Sequence, residues 1–182
     1  MTTVDTLVDR NRHFAASGPP AGLQLFPRMK TIVVGCVDPR VDPAAVLGLR
    51  LGDALVIRNL GGRVTPDTFR TMAALRAIAE VEGAKPGPEW NLVVLHHTDC
   101  GITRLGGHAG LLAGVLDIEP ADLGSKAVDE PVAAVAADVR TIRANPFLPA
   151  AFLVSGLVYD IATGLVDVVV PPAPLRSAES VA

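Results

Sequence analysis

Three short apolar runs constrain this chain more than any other feature: Lys30-Thr-Ile-Val-Val-Gly-Cys36, Ala54-Leu-Val-Ile-Arg58 and Asn91-Leu-Val-Val-Leu95. Each is rich in β-branched residues and each stops at turn-forming chemistry, at Asp38-Pro39-Arg40, Asn59-Leu60-Gly61-Gly62 and His96-His97-Thr98-Asp99-Cys100-Gly101 respectively. Runs that stay apolar at successive positions suit strands covered on both faces, the condition of a parallel sheet. Between the second and third runs, Thr65 supplies a helix cap, Pro66 the first helical position and Asp67 an early acid. Phe69, Met72, Ala73, Leu75, Ile78 and Ala79 then recur at helical spacing over residues 66 to 82. Strand, helix and strand in that order imply a parallel pair with a right-handed crossover. The expectation is an α/β fold, a mostly parallel central sheet flanked by helices.

The remaining elements are expected around that frame. Residues 3 to 17 form a short helix within an N-terminal helical arm, residues 1–29, and a second short helix is expected over 44–49. The Gly-rich segment from 102 to 129 reads as a loop with one short helix near 110–117, and a longer helix runs from Pro131 to about Ala144, where Asn145-Pro146 stops it. Residues 151–159 and 165–170 read as a hairpin that places an antiparallel strand at the sheet edge. Residues 171–182 are expected to be a flexible tail. No repeat or linker composition divides the chain, so residues 1–182 are read as a single domain.

Composition excludes several function classes. A net charge of -3 and 4% aromatic residues provide neither the basic footprint nor the stacking platform that nucleic acid requires. No apolar run approaches the roughly 18 residues of a membrane span, so no membrane partner is expected. A hydrophobic fraction of 49% instead suggests a subunit interface. The N-terminus has no secretory pattern, which makes the cytoplasm the expected location. In that reducing setting two cysteines point to metal binding, redox chemistry or plain burial.

Their surroundings favour metal. Cys36 and the His97–Cys100 segment follow the carboxyl ends of two neighbouring strands, where open α/β sheets build their sites. His97-x-x-Cys100 offers two donors from one turn and Cys36 a third, a Cys₂His set with one position left over, which suits catalytic Zn2+ better than a closed structural site. Asp38 can reach the metal or its water, and Arg40 can clamp that carboxylate in a charge-assisted pair. Asp38 could instead ligate the metal as a fourth donor and close the site. Strand alternation turns His96 the other way, towards packing or hydrogen bonding. His108 reads as an exposed loop histidine, with relay of protons from metal-bound water to buffer as its alternative, and Arg58 and Asn59 as ties between strand ends, with binding of an anion near the mouth as theirs.

Cys36-Val-Asp38-Pro-Arg40 and His97-Thr-Asp-Cys100-Gly101 resemble the Cys-x-Asp-x-Arg and His-x-x-Cys-Gly motifs of β-class carbonic anhydrases. Gly52-Asp-Ala-Leu-Val-Ile-Arg58-Asn59-Leu-Gly61 resembles a third segment of that family, and the paired histidines with Asn145-Pro146-Phe147 are most similar to a small actinobacterial-type subgroup. The resemblance implies a zinc enzyme that interconverts carbon dioxide and bicarbonate. It implies Cys36, His97 and Cys100 as ligands, Asp38 with Arg40 as the catalytic dyad, and a homodimer or homotetramer. Pro39 departs from the serine or alanine of many relatives and stiffens the turn between Asp38 and Arg40. With so few aromatics, Val64, Leu60 and Ile102 are expected to line the carbon dioxide site. Two rival readings use the same donors: hydrolysis of carbonyl sulfide or carbon disulfide, and a non-catalytic regulatory zinc site.

Overall fold

The computed structural model describes residues 1–18, 20–84 and 87–176. The apolar runs become β1 (Thr31–Cys36), β2 (Ala54–Asn59) and β3 (Asn91–His97), joined in one sheet by β4 (Leu153–Tyr159) and β5 (Val166–Pro174). The strand order is β2-β1-β3-β4-β5. The first four strands are mutually parallel and β5 runs antiparallel along β4, as the sequence led us to expect. All six residues of β1 are buried, because this strand lies between β2 and β3 with both faces covered. Its register sets Gly35 opposite Leu95, which brings the carboxyl ends of β1 and β3 level.

Helices α1 (Thr3–Ala16), α2 (Pro43–Val46), α3 (Pro66–Val81), α4 (Ala109–Leu116) and α5 (Pro131–Ala144) flank the sheet or extend from it. The main core gathers Ile32, Val34, Leu92, Val94 and Val154 from the sheet against Val135, Val139 and Ile142 of α5. A second cluster forms at the carboxyl ends of the strands, where Cys36, Val41, Cys100, Ile102, Leu112 and Leu116 pack together. The α1 helix has a capping box between Thr2 and Asp5 but buries none of its residues, the behaviour of an arm.

Three boundaries differ from the sequence reading. The β3 strand continues two residues past Leu95 and takes in both histidines, pairing them with Val158 and Tyr159. The α2 helix is shorter and earlier than 44–49, because the Asp42 carboxylate caps the backbone N–H groups of Ala44 and Ala45. The tail expected from residue 171 is partly strand: β5 passes through Pro171 and Pro172 and still pairs Ala173 with Val154 and Pro174 with Leu153. An edge strand tolerates proline at a bulge, and the register shift between Val154 and Gly156 lies opposite Pro171 and Pro172. Residues 177–182, the rest of that tail, lie outside the described residues. Among the described residues no helix is long and apolar enough to cross a membrane.

Candidate metal centre

Cys36 ends β1, and its sulfur is approached from two sides by backbone. The turn after β2 brings the Gly61 N–H to Cys36 Sγ at 3.3 Å, and the Asp38 N–H donates to the same sulfur at 3.4 Å. Such close approach requires glycine: at Gly62, with φ 64°, a Cβ would lie 2.9 Å from the Cys36 nitrogen. Cys100 Sγ lies 3.8 Å from Cys36 Sγ, and both cysteines are free.

The third member is His97. Its Nδ1 lies 2.8 Å from the Thr98 carbonyl oxygen, and since only a protonated nitrogen can bond there, Nε2 carries the lone pair. That Nε2 is buried and has no hydrogen-bond partner. One donor atom from each of Cys36, His97 and Cys100 lies within 4.8 Å of the others. The three residues are 2%, 2% and 8% exposed. An orphaned imidazole lone pair beside two thiols is costly to bury as it stands, by about 1–3 kcal/mol for the lone pair. A divalent metal that accepts nitrogen and sulfur relieves it, so this donor set fits zinc. The thiols already differ. Donation from Cys100, with the two backbone N–H groups, holds Cys36 well below the usual thiol range despite burial, while Cys100 is pushed up by its thiolate neighbour and by burial.

Asp38 and Arg40 meet as a fork. Arg40 Nε donates to Asp38 Oδ1 at 3.0 Å, Nη2 donates to Oδ2 at 2.7 Å, and the Arg40 backbone N–H donates to Oδ1 at 2.9 Å. The Arg40 side-chain bonds hold the Asp38 carboxyl well below the usual carboxylate range, outweighing the opposing effect of burial. Asp38 is absent from the donor cluster; both its oxygens are engaged by Arg40. Beneath this loop, Arg58 donates to the carbonyls of Cys36 and Asp38 and to Asp42. Asn59 ties the turn after β2 through reciprocal bonds with the Arg63 backbone, at 2.7 Å each. Both therefore brace backbone, as expected of them.

Other expected residues separate by face. His96 points away from the cluster, its Nε2 3.3 Å from Asp138 Oδ2 but off the line of a hydrogen bond. His108 is exposed at the head of α4. Leu60 and Ile102 pack around Cys36 and Cys100, but Val64 does not join them: it lies in the main core. The cause is Asp138 on α5, whose carboxylate accepts the Val64 N–H at 3.1 Å and pulls that segment down onto the helix.

Sequence reasoning missed Asp99 and Arg104. Asp99, at φ 51°, accepts Arg40 Nη1 at 2.8 Å on one carboxylate oxygen and Arg104 Nη2 at 2.9 Å on the other. The available signal was an acidic residue set between two donor residues, but spacing alone does not say where such a side chain goes. A cavity of about 50 Å³ adjoins His97 and Cys100, walled partly by Gly61, Ile102, Val128 and Ala134. A far larger apolar cleft of about 860 Å³ lies elsewhere, along α3, Trp90 and Phe147. Size therefore does not mark the chemistry.

Residues 31–166 match the family model described as carbonic anhydrase. Beta-carbonic anhydrase 1 of Mycobacterium tuberculosis is 30% identical over 173 residues, spanning 94% of this chain and 100% of its own. The crystal structure of a carbonic anhydrase from Streptococcus mutans superposes with a TM-score of 0.68 at 30% identity, covering 93% of this chain and 98% of that one. A carbon disulfide hydrolase of Saccharolobus solfataricus is 27% identical over 159 residues, 72% of each chain.

Proposed function

The chain belongs to the β-class carbonic anhydrases, and on that premise we propose that it interconverts carbon dioxide and bicarbonate at a zinc ion held by Cys36, His97 and Cys100. The observation that carries this reading is a buried Cys₂His donor set, with a free imidazole lone pair, beside an Asp38–Arg40 fork. Bound there, zinc would supply the Lewis acidity that makes water a nucleophile near neutral pH.

The protein's own groups supply direction. An ionised Asp38 only accepts hydrogen bonds, so the attacking water must turn a proton towards it and a lone pair away from it, towards the substrate carbon. Arg40 keeps that carboxylate ionised and aimed. Leu60 and Ile102 offer an apolar wall to an uncharged linear molecule, and the cavity of about 50 Å³ suits a small one. The released proton leaves to buffer.

Stopped-flow carbon dioxide hydration by zinc-replete protein tests the reading, with Cys36→Ser as control; equal rates would end it. The similarity to the carbon disulfide hydrolase of Saccharolobus solfataricus favours a second reading, hydrolysis of carbon disulfide, or of the related carbonyl sulfide, with the same residues. Sulfide release from each gas distinguishes the two.

Self-association belongs to this reading, as a homodimer or homotetramer. It is supported by two apolar surfaces left open among the described residues: α1, with Val4, Leu7, Val8 and Phe14 exposed, and the 860 Å³ cleft along α3. A cytoplasmic setting would keep both thiols reduced and available for metal.

A further inference from the structure

Arg40 reaches further than the residue it is paired with. Beyond its fork to Asp38, its Nη1 donates to Asp99 Oδ2 at 2.8 Å and its Nη2 to the Asp99 carbonyl oxygen at 3.0 Å. Asp99 Oδ1 in turn accepts Arg104 Nη2 at 2.9 Å. The result is a chain of alternating charge, Asp38, Arg40, Asp99 and Arg104, that crosses from the loop after β1 to the loop after β3.

We infer that Asp99 is a positioning residue for the proposed reaction, holding the Arg40 guanidinium from the side opposite Asp38 so that the Asp38 carboxylate keeps its direction. The inference rests on the reading of Asp38 given above. Arg40 is 45% exposed, and an exposed arginine paired with one carboxylate keeps much of its rotamer freedom and gains little from the pair. Contacts on both edges of the planar group are different: with Nε and Nη2 on Asp38 and Nη1 and Nη2 on Asp99, the plane itself is set. Asp99 is itself fixed. It lies between His97 and Cys100 in a left-handed conformation that aspartate and asparagine tolerate better than other side chains, and Arg104 holds its outer oxygen. It offers no atom to the donor cluster, so holding Arg40 is separable from holding metal.

Asp99→Asn tests this with the backbone conformation retained. In otherwise wild-type zinc-replete protein, kcat for carbon dioxide hydration should fall about 10-fold, the scale of a modest misorientation of the reacting groups. Zinc stoichiometry should not change. In an Arg40→Ala background the same substitution should change kcat by less than about 2-fold, because a residue acting through Arg40 has nothing left to act on. In ¹⁵N-arginine-labelled protein, the Arg40 Nε–H resonance, assigned by its loss in Arg40→Lys, should be sharp in wild type and broadened in Asp99→Asn. Equal kcat losses in the two backgrounds, or an Arg40 resonance unchanged by Asp99→Asn, would overturn the inference. If wild type hydrates no carbon dioxide, the functional reading fails instead, and the resonance alone then decides whether Asp99 holds Arg40.

Discussion

Arg63 and Asp138 form an ion pair at 2.7 Å with side chains 2% and 0% exposed, linking the turn after β2 to α5 directly beneath the His96–His97 end of β3. Two charges so deeply buried persist because each makes bonds beyond its partner, although Arg63 Nη1 itself has none. Arg63 Nη2 also donates to the Lys126 carbonyl, and Asp138 also accepts the Val64 N–H. Asp138→Asn would leave the guanidinium buried without its counter-charge and should destabilise the protein by about 3–5 kcal/mol. The double replacement Arg63→Met with Asp138→Leu should recover most of that loss. Urea unfolding of the two variants beside wild type measures both effects.

The same pair sets an acid limit. Burial alone would raise the Asp138 carboxyl, but His96 and Arg63 beside it outweigh burial and hold it below the ordinary carboxylate range. A carboxyl depressed in the folded state contributes stability that is complete above the unfolded value of about 3.9 and is lost as pH falls through the lower folded value. Wild type should therefore lose stability below about pH 4 more steeply than Asp138→Asn, which has no such proton to take up. Unfolding midpoints collected from pH 6 down to pH 3 provide the comparison; parallel curves would contradict the assignment.

The two histidines of β3 should separate cleanly. His97→Ala removes a donor atom from the cluster and should abolish stoichiometric zinc binding, whereas His96→Ala, on the opposite face, should retain one zinc per chain while losing stability. Metal analysis after dialysis distinguishes them, and zinc loss of similar extent in both would show that the strand alternation has been misassigned.

Self-association should depend on the arm. Leu7→Glu with Phe14→Glu places charge on an α1 surface that has no partner among the described residues, and should shift sedimentation towards monomer without altering the helix content. A wild-type protein that sediments as a monomer at micromolar concentration would contradict the oligomer reading.

What could be read in advance follows from which forces are local. A central parallel strand must be apolar on both faces, so β1 and β3 were legible as buried strands, and so was the position of Cys36, His97 and Cys100 at their carboxyl ends. The β2 strand, equally apolar in sequence, was expected to be covered on both faces but lies at the sheet edge with Val56 40% exposed. The Asp38–Arg40 fork was legible because the two residues are only two apart. Long-range pairings were not. Nothing in the run Gly61-Gly62-Arg63-Val64 reveals that Asp138, 75 positions after Arg63, draws it onto α5, and for that reason Val64 was expected at the wrong wall. Asp99 was invisible for a similar reason, since its left-handed backbone aims the carboxylate at arginines on both sides. In β5, two prolines read as the end of structure because sequence does not show that the strand is an edge with a bulge.

Carbon dioxide hydration measured by stopped flow on zinc-replete wild type and on Asp38→Asn at equal zinc content tests the central claim most directly. The account expects rapid hydration by wild type and a loss on the order of 10²-fold in kcat for Asp38→Asn, since the metal is retained and only the alignment of water is removed. Equal hydration rates for the two proteins, each with one zinc per chain, would contradict it.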